Sequence, residues 1–351
     1  MSYFRPQIDA MSGYVPGEQP SPGTKVIKLN TNENPYPPSP KAMAVLQQLS
    51  PEQLRRYPHP MAEQFRIAAH EALGVPPSWV LVGNGSDDLL TMIVRACTEP
   101  GRSIVYPAPT YVLYQTLADI QGTETIAVPY PDNYTLPVDD LIAAKGAVTF
   151  VASPNSPSGT LVPIQTLEKL AQNLDGVLVI DEAYTDFAQS HALPLVRSYD
   201  NVIVLRTLSK GYSLAGLRLG FGIANPDLLA GLIKVKDSYN VDAIACLVGA
   251  AAIADNAYKN ANADKIKSER DRVTSALTDL GFYVFPSQAN FILADASKLD
   301  MEAESLYKEL KEKGILVRYF NQPRLADKLR ITIGTPEENQ ALIDAIAALL
   351  D

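Results

Sequence analysis

The chain has 351 residues, 46% of them hydrophobic and 20% charged, so it is long and apolar enough to build a core without disulfide or metal staples. Its 30 Lys and Arg against 39 Asp and Glu give a formal charge of −9, which argues against a nucleic acid or an anionic membrane surface as partner. Two cysteines, Cys97 and Cys246, support neither a disulfide framework nor a thiolate metal site, and with no apolar leader at the N-terminus the expectation is a reduced, cytoplasmic protein without a metal.

The first 24 residues are polar and rich in Pro and Gly, compatible with an ordered arm or a frayed end. After VIKLN, the segment TNENPYPPSP forces an extended, turn-rich passage, because each proline biases its predecessor away from the helix. Ser39-Pro40 makes an N-cap and N1 pair, so residues 39–49 are predicted helical; a second helix over 61–73 stops at Gly74. The chain then alternates. Apolar, β-branched runs at 80–82, 103–106, 125–128, 148–151, 177–180, 202–205 and 220–223 predict strands, and helical patterns fall at 87–97, 111–120, 164–173 and 226–236. Strands this apolar, with helices between them, indicate an α/β architecture: a mostly parallel sheet covered on both faces, with ligand chemistry at the carboxyl ends of its strands. The tail differs. A helix over 258–280, the run YVFPSQANFILAD, a helix over 302–313, ILVRYF, LRITIG and a closing helix over 336–350 read as a separate, smaller α+β lobe.

Four motifs carry chemistry. RTLSKGYSLAGLRLGF (206–221) follows an apolar strand, which puts Ser209 and Lys210 on a loop at the strand's carboxyl end. A lysine there forms a Schiff base with an aldehyde cofactor if its amine is kept partly deprotonated, and Arg218 is placed to clamp a phosphate; the bland alternative is a surface Lys and Arg. In VLVIDEAYTDF (177–187), Asp181 ends an apolar strand, where a carboxylate needs a cationic partner. That partner is a metal or a protonated ring nitrogen, unless Asp181 merely caps the next element, and Tyr184 projects near the same region. VTFVASPNSPSGT (148–160) leaves Asn155 as a side-chain donor on a loop that by itself is only a turn. VLVGNGSDDLL (80–90) runs from a strand through a Gly-rich turn at Gly85 into a helix starting at Ser86-Asp87, a phosphate site that matches neither dinucleotide nor P-loop patterns. Tyr111, just after a strand in YPAPTYVLY, either stacks on a flat cofactor or packs in the core.

In this order the motifs resemble the fold type I pyridoxal-phosphate-dependent aminotransferases, and within them the histidinol-phosphate branch. The likeness runs from YVPGE and LNTNENPYPPSP through RRYP, GNGSDD, PTY, SPNSPSGT, DEAYTDF, TLSKGYSLAGLRLGF and ANFIL to ILVR and LRITIGT. The resemblance implies an N-terminal arm (1–35) joining the small domain, a large cofactor-binding domain (36–257) with a seven-stranded sheet, and a small C-terminal domain (258–351). It implies that pyridoxal phosphate is carried as a Schiff base on Lys210, with Asp181 on its ring nitrogen, Tyr184 and Asn155 on its phenolic oxygen, and Tyr111 on its face. Gly85, Ser86, Asp87, Thr207, Ser209 and Arg218 would hold its phosphate, with Tyr57 of RRYP reaching the other subunit's cofactor in a homodimer with shared sites. Arg330, Arg318, Asn34 and Tyr14 would bind substrate. The implied reaction is transamination of L-histidinol phosphate with 2-oxoglutarate. Two relatives on the same fold compete, an aromatic amino-acid aminotransferase and a phosphothreonine-type decarboxylase, and so does a non-catalytic binding protein. The chain departs from the family's usual pattern in reading SPNSPSGT and in placing Gly211-Tyr212 after the lysine, where Tyr212 is expected to reshape the pocket.

Overall fold

The computed structural model describes residues 2–11, 18–21, 23 and 25–350. Its strands in chain order are β1 (Ile27–Lys28), β2 (Val80–Asn84), β3 (Ile104–Ala108), β4 (Thr125–Pro129), β5 (Val148–Ala152), β6 (Val177–Asp181), β7 (Val202–Thr207), β8 (Leu219–Ala224), β9 (Tyr283–Val284), β10 (Phe291–Asp295), β11 (Ile315–Leu316), β12 (Arg318–Tyr319) and β13 (Lys328–Thr332). Seven of them form one sheet in the order β2-β8-β7-β6-β5-β3-β4. All its pairings are parallel except those of β8, which is antiparallel to β2 and to β7. The carboxyl ends of β2, β3, β5, β6 and β7 therefore lie on one edge, together with the amino end of β8. This is the α/β large lobe expected from the alternating apolar runs.

Each of the seven strands runs one or two residues further toward its carboxyl end than its apolar run. The ladder continues after the pattern has turned polar, so Asn84, Asp181 and Thr207 are the last residues of β2, β6 and β7. Ser39 caps the helix Pro40–Gln47 by accepting from the Lys41 N–H, and Gly74 ends Glu63–Leu73 in a left-handed conformation. Two short helices, Pro51–Arg55 and Val138–Ala143, and the longer Ala243–Ile253 lie outside the sequence expectation. The last is Ala-rich and packs against helices Pro40–Gln47 and Glu63–Leu73 and against β8, so it is apolar nearly all round and carries no helical period to read.

The small lobe is a four-stranded antiparallel sheet, β12-β13-β10-β9, covered by helices Asn256–Asp279, Ala303–Glu312 and Pro336–Leu350. Its core gathers Ile266, Leu306, Ile331 and Leu342, and also Leu29 from the N-terminal arm and Phe187 from just beyond β6. From residue 18 the arm joins this lobe: β1 pairs in parallel with β11, and Glu18 forms an ion pair with Lys311 at 2.8 Å. The segment before it goes elsewhere. The helix Pro6–Ala10 lies on helix Leu113–Gln121 of the large lobe, with the Arg5 guanidinium donating to the Ile120 carbonyl at 2.5 Å. Among the described residues, no helix is long and apolar enough to cross a membrane.

Candidate active site

The carboxyl ends of five strands and the loop before β8 meet at one edge of the large sheet. Gly85, with φ 79°, turns the chain from β2 into helix Ser86–Cys97. A Cβ on Gly85 would stand 2.7 Å from the Arg218 guanidinium, and one on Gly220 of β8 would stand 2.6 Å from the Gly85 carbonyl carbon, so two glycines keep this cradle open. Arg218, itself left-handed at φ 54°, enters from the amino end of β8 and lies 3.3 Å from an Asp87 carboxylate oxygen. Thr207 at the end of β7 and Ser209 on the loop after it, both buried, bond each other through their hydroxyls at 2.9 Å. Free N–H groups at a helix start, two hydroxyls and a guanidinium form a cradle whose chemistry suits an anion such as phosphate.

Asp181 is 5% exposed at the end of β6. Its carboxylate accepts from the Tyr114 hydroxyl at 2.8 Å and from the Ala183 N–H at 3.1 Å, and it has no ion pair among the described residues. Burial pushes its carboxyl up to about 6 against the pull of those two hydrogen bonds. A buried carboxylate in that state calls for a cation, and a protonated pyridine nitrogen supplies one. Tyr114 was not singled out in the sequence, because a tyrosine on a helix next to an apolar strand reads as core. It is core, stacked on Phe150 at 4.7 Å, but its hydroxyl is also the side-chain partner of Asp181. Tyr111 stands edge-on to Tyr114 and donates to Asp87 at 3.3 Å.

On the neighbouring strand, Lys210 follows β7 and its ammonium donates to the Thr31 carbonyl at 3.2 Å. Burial, helped by the positive field of Arg330 and Arg218, lowers its amine to about 8. Nζ lies 5.9 Å from the centre of the Tyr184 ring. Tyr184 packs edge-on against Phe291 of the small lobe, and its hydroxyl accepts from the Asn32 carboxamide at 2.9 Å.

Two expected donors are already engaged. Asn155 is fully buried, and its amide donates to Ser158 at 2.9 Å and to the Pro109 carbonyl at 3.3 Å while its oxygen takes the Thr110 hydroxyl. A side chain that deep must satisfy its own polar atoms, so it ties the loop after β5 to the loop after β3. Asn34, expected at the substrate, donates to the main-chain carbonyls of Lys210 and Gly211 at 3.0 and 3.3 Å. Tyr212, close to Lys210 in sequence, contacts the small lobe. Its hydroxyl bonds Asn256, and Lys259 sits over its ring, both on the long helix of the small lobe.

Arg330 of β13 reaches across the lobes. Its guanidinium donates to Ser156 at 3.1 Å and to the Asn30 carbonyl at 3.0 Å, and it lies between the rings of Phe291 and Phe320. Arg318 is its direct partner across the β12–β13 pair, with its guanidinium over the same Phe320 ring. Tyr57 is 80% exposed and stacks on Tyr239, and it touches none of the cradle residues among those described. Tyr14 lies outside the described residues.

The buried, cation-seeking Asp181, the depressed lysine beside it and the glycine-lined anion cradle together fit the pyridoxal phosphate that the motifs imply. The model of the class I and II aminotransferases matches residues 24–346. A histidinol-phosphate aminotransferase of Trichormus variabilis is 60% identical over 349 residues, 99% of both chains, and that of Rhodopirellula baltica is 45% identical over 99% of this chain and 95% of its own. The crystal structure of histidinol-phosphate aminotransferase from Sinorhizobium meliloti in complex with pyridoxal-5'-phosphate superposes with a TM-score of 0.89, 27% identity and 99% coverage of both chains. A Thermus thermophilus aspartate aminotransferase, 20% identical, shares the fold at a TM-score of 0.85 over the whole of both chains. Site geometry, fold and likeness over the full length thus agree, and the chain belongs to the class I and II aminotransferase family.

Proposed function

We propose that this chain is a pyridoxal-phosphate-dependent histidinol-phosphate aminotransferase, moving the amino group of L-histidinol phosphate to 2-oxoglutarate to give imidazole-acetol phosphate and L-glutamate in histidine biosynthesis. The observation that carries the substrate is the 60% identity, over 99% of both chains, to a relative of that name. When bound, pyridoxal phosphate supplies an aldehyde that condenses with amines and a ring that accepts electrons from the substrate's Cα.

The chain's own residues do the rest. Lys210, whose amine titrates near 8, holds the cofactor and then moves the proton that leaves the substrate's Cα. Asp181 offers its carboxylate to the ring nitrogen and keeps a proton there. Gly85, Ser86, Asp87, Thr207, Ser209 and Arg218 hold the phosphate, Tyr111 covers a ring face, and Tyr184 donates to the phenolic oxygen. Asn155 joins Tyr184 there once its 3.3 Å bond to Pro109 gives way. Arg330 grips the carboxylate of glutamate or 2-oxoglutarate and, with Arg318, the phosphate of the other substrate, because both anions suit a guanidinium fork. Asn34 fixes the backbone of Lys210 by donating to its main-chain carbonyl.

The reading includes a homodimer in the cytoplasm. Tyr57 is 80% exposed, Leu54 57% and Tyr239 48%, and an apolar face of this kind suits a second copy whose cofactor Tyr57 reaches. The deciding experiment is a half-reaction followed by the visible absorption of the cofactor-loaded protein. Fast loss of the band with histidinol phosphate and with glutamate, and slow loss with phenylalanine, is the expected result. Fast loss with phenylalanine alone moves the enzyme to the aromatic class, and the absence of any band overturns the cofactor assignment.

A further inference from the structure

Asn32 belongs to the arm, is 1% exposed, and sits at φ 58°, a conformation that asparagine tolerates better than most residues. The small lobe holds it from several sides. Its N–H donates to the Thr332 hydroxyl oxygen at 3.0 Å, and its carbonyl accepts from the Asn290 amide at 3.0 Å. Thr332 in turn donates its hydrogen to the Asn32 side-chain oxygen at 3.1 Å. With the oxygen turned to Thr332, the amide nitrogen faces Tyr184 and donates to its hydroxyl at 2.9 Å.

A phenol carries one hydrogen and can both donate and accept. Ser156, whose oxygen takes the Arg330 guanidinium, is also hydrogen-bonded to the Tyr184 hydroxyl; with Asn32 and Ser156 both directed at that oxygen, the hydrogen of Tyr184 points away from Asn32 and remains available to a further partner. We propose that Asn32 is a positioning residue for Tyr184: its carboxamide, oriented by Thr332, commits the phenol to donate to the phenolic oxygen of the cofactor. The inference rests on the reading above, in which Tyr184 lies beside that oxygen. Its consequence is electrostatic. A committed donor favours the negative form of that oxygen and so lowers the pH at which the loaded cofactor's visible spectrum changes. The charged groups facing Tyr184 are Lys210, Asp181 and Arg330, and all three stay native in the test.

The test is a pH titration of the visible absorption of the cofactor-loaded protein, read as a midpoint, in Asn32→Gly, Tyr184→Phe and the double variant. Glycine accepts φ 58° at no steric cost and is neutral, so the turn survives and no new charge is introduced. Asn32→Gly is expected to raise the midpoint by about half a pH unit, the scale of one neutral hydrogen bond. Tyr184→Phe is expected to raise it at least as far, and the double variant no further than Tyr184→Phe alone. A purely structural role for Asn32 would alter stability or loading but leave the midpoint in place. An unchanged midpoint in Asn32→Gly, or a shift that adds in full on Tyr184→Phe, overturns the proposal. Thr332→Val, which keeps Asn32 but removes the donor that orients it, is expected to move the midpoint in the same direction, and it carries the same two criteria if Asn32→Gly does not fold. Absence of a visible band in the native protein would instead overturn the functional reading itself.

Discussion

Asp181 ends β6 and Lys210 follows the neighbouring β7, and burial opposes the charged form of each. The folded Asp181 carboxyl titrates near 6, above its ordinary 3.8. Below 3.8 it is protonated in both folded and unfolded chains and costs nothing. The cost grows as pH rises through that window and is complete above about 6. Asp181→Asn should therefore stabilise the cofactor-free protein at pH 8 by about 1–2 kcal/mol, after subtracting the one hydrogen bond the amide cannot accept, and should not stabilise it at pH 4. Calorimetry at the two pH values checks this, and a gain confined to the acid side would refute it. The lysine behaves as the mirror case. Its amine is lowered to about 8 from 10.5, so its cost is full below 8 and fades as pH rises toward 10.5. Lys210→Met should raise the thermal midpoint of the cofactor-free protein at pH 7, lose that advantage near pH 11, and have no turnover at any pH. Both variants gain stability where the native site gives it up for chemistry.

At the scale of elements, the anion cradle depends on how closely β8 passes the start of helix Ser86–Cys97. A Cβ on Gly220 would overlap the main chain of Gly85 and Ser86, which cannot yield without tilting the helix start. Gly220→Ala should cost about 1–3 kcal/mol of stability and weaken pyridoxal-phosphate binding about tenfold or more, measured by equilibrium dialysis. Gly231→Ala, with nothing within 4 Å of its Cβ in helix Pro226–Ile233, is the control and should leave affinity unchanged. The same elements explain what could be read from the sequence. Asp181 and Lys210 were legible because each interrupts or follows an apolar run, a local signal. Asn32 and Thr332 were not, since their bond joins residues 300 apart and neither one stands out among its neighbours. Helix Ala243–Ile253 was missed because it is buried on nearly all sides, and the two-residue pairing of β1 with β11 is too short to leave a pattern. Asn155 and Asn34 were recognised as polar residues near the site. Which atoms they bond depends on loops brought together only by folding.

For the whole molecule, the arrangement of the lobes, and of the copies in the proposed dimer, decides whether a site is complete. The arm ties Lys210 and Tyr184 to the small lobe through Thr31 and Asn32, and Arg330 returns the connection by reaching Ser156 beside β5. Within one chain, however, Tyr57 stacks on Tyr239 in the open and meets no group of the anion cradle among the described residues. If it serves the partner's cofactor phosphate, two defective chains should repair each other. Lys210→Ala lacks the lysine but presents an intact Tyr57, whereas Tyr57→Ala keeps the lysine and lacks the reaching ring. Mixed, dissociated and reassociated, the pair would form heterodimers holding one site with both groups native and one with neither. Activity should rise well above that of either variant alone, toward the level of one working site per heterodimer. If Tyr57 acts only within its own chain, every lysine-bearing site in the mixture still lacks it, and activity stays at the level of the Tyr57→Ala protein present. Sedimentation of the mixture, run alongside, separates a failure to exchange subunits from a failure to complement.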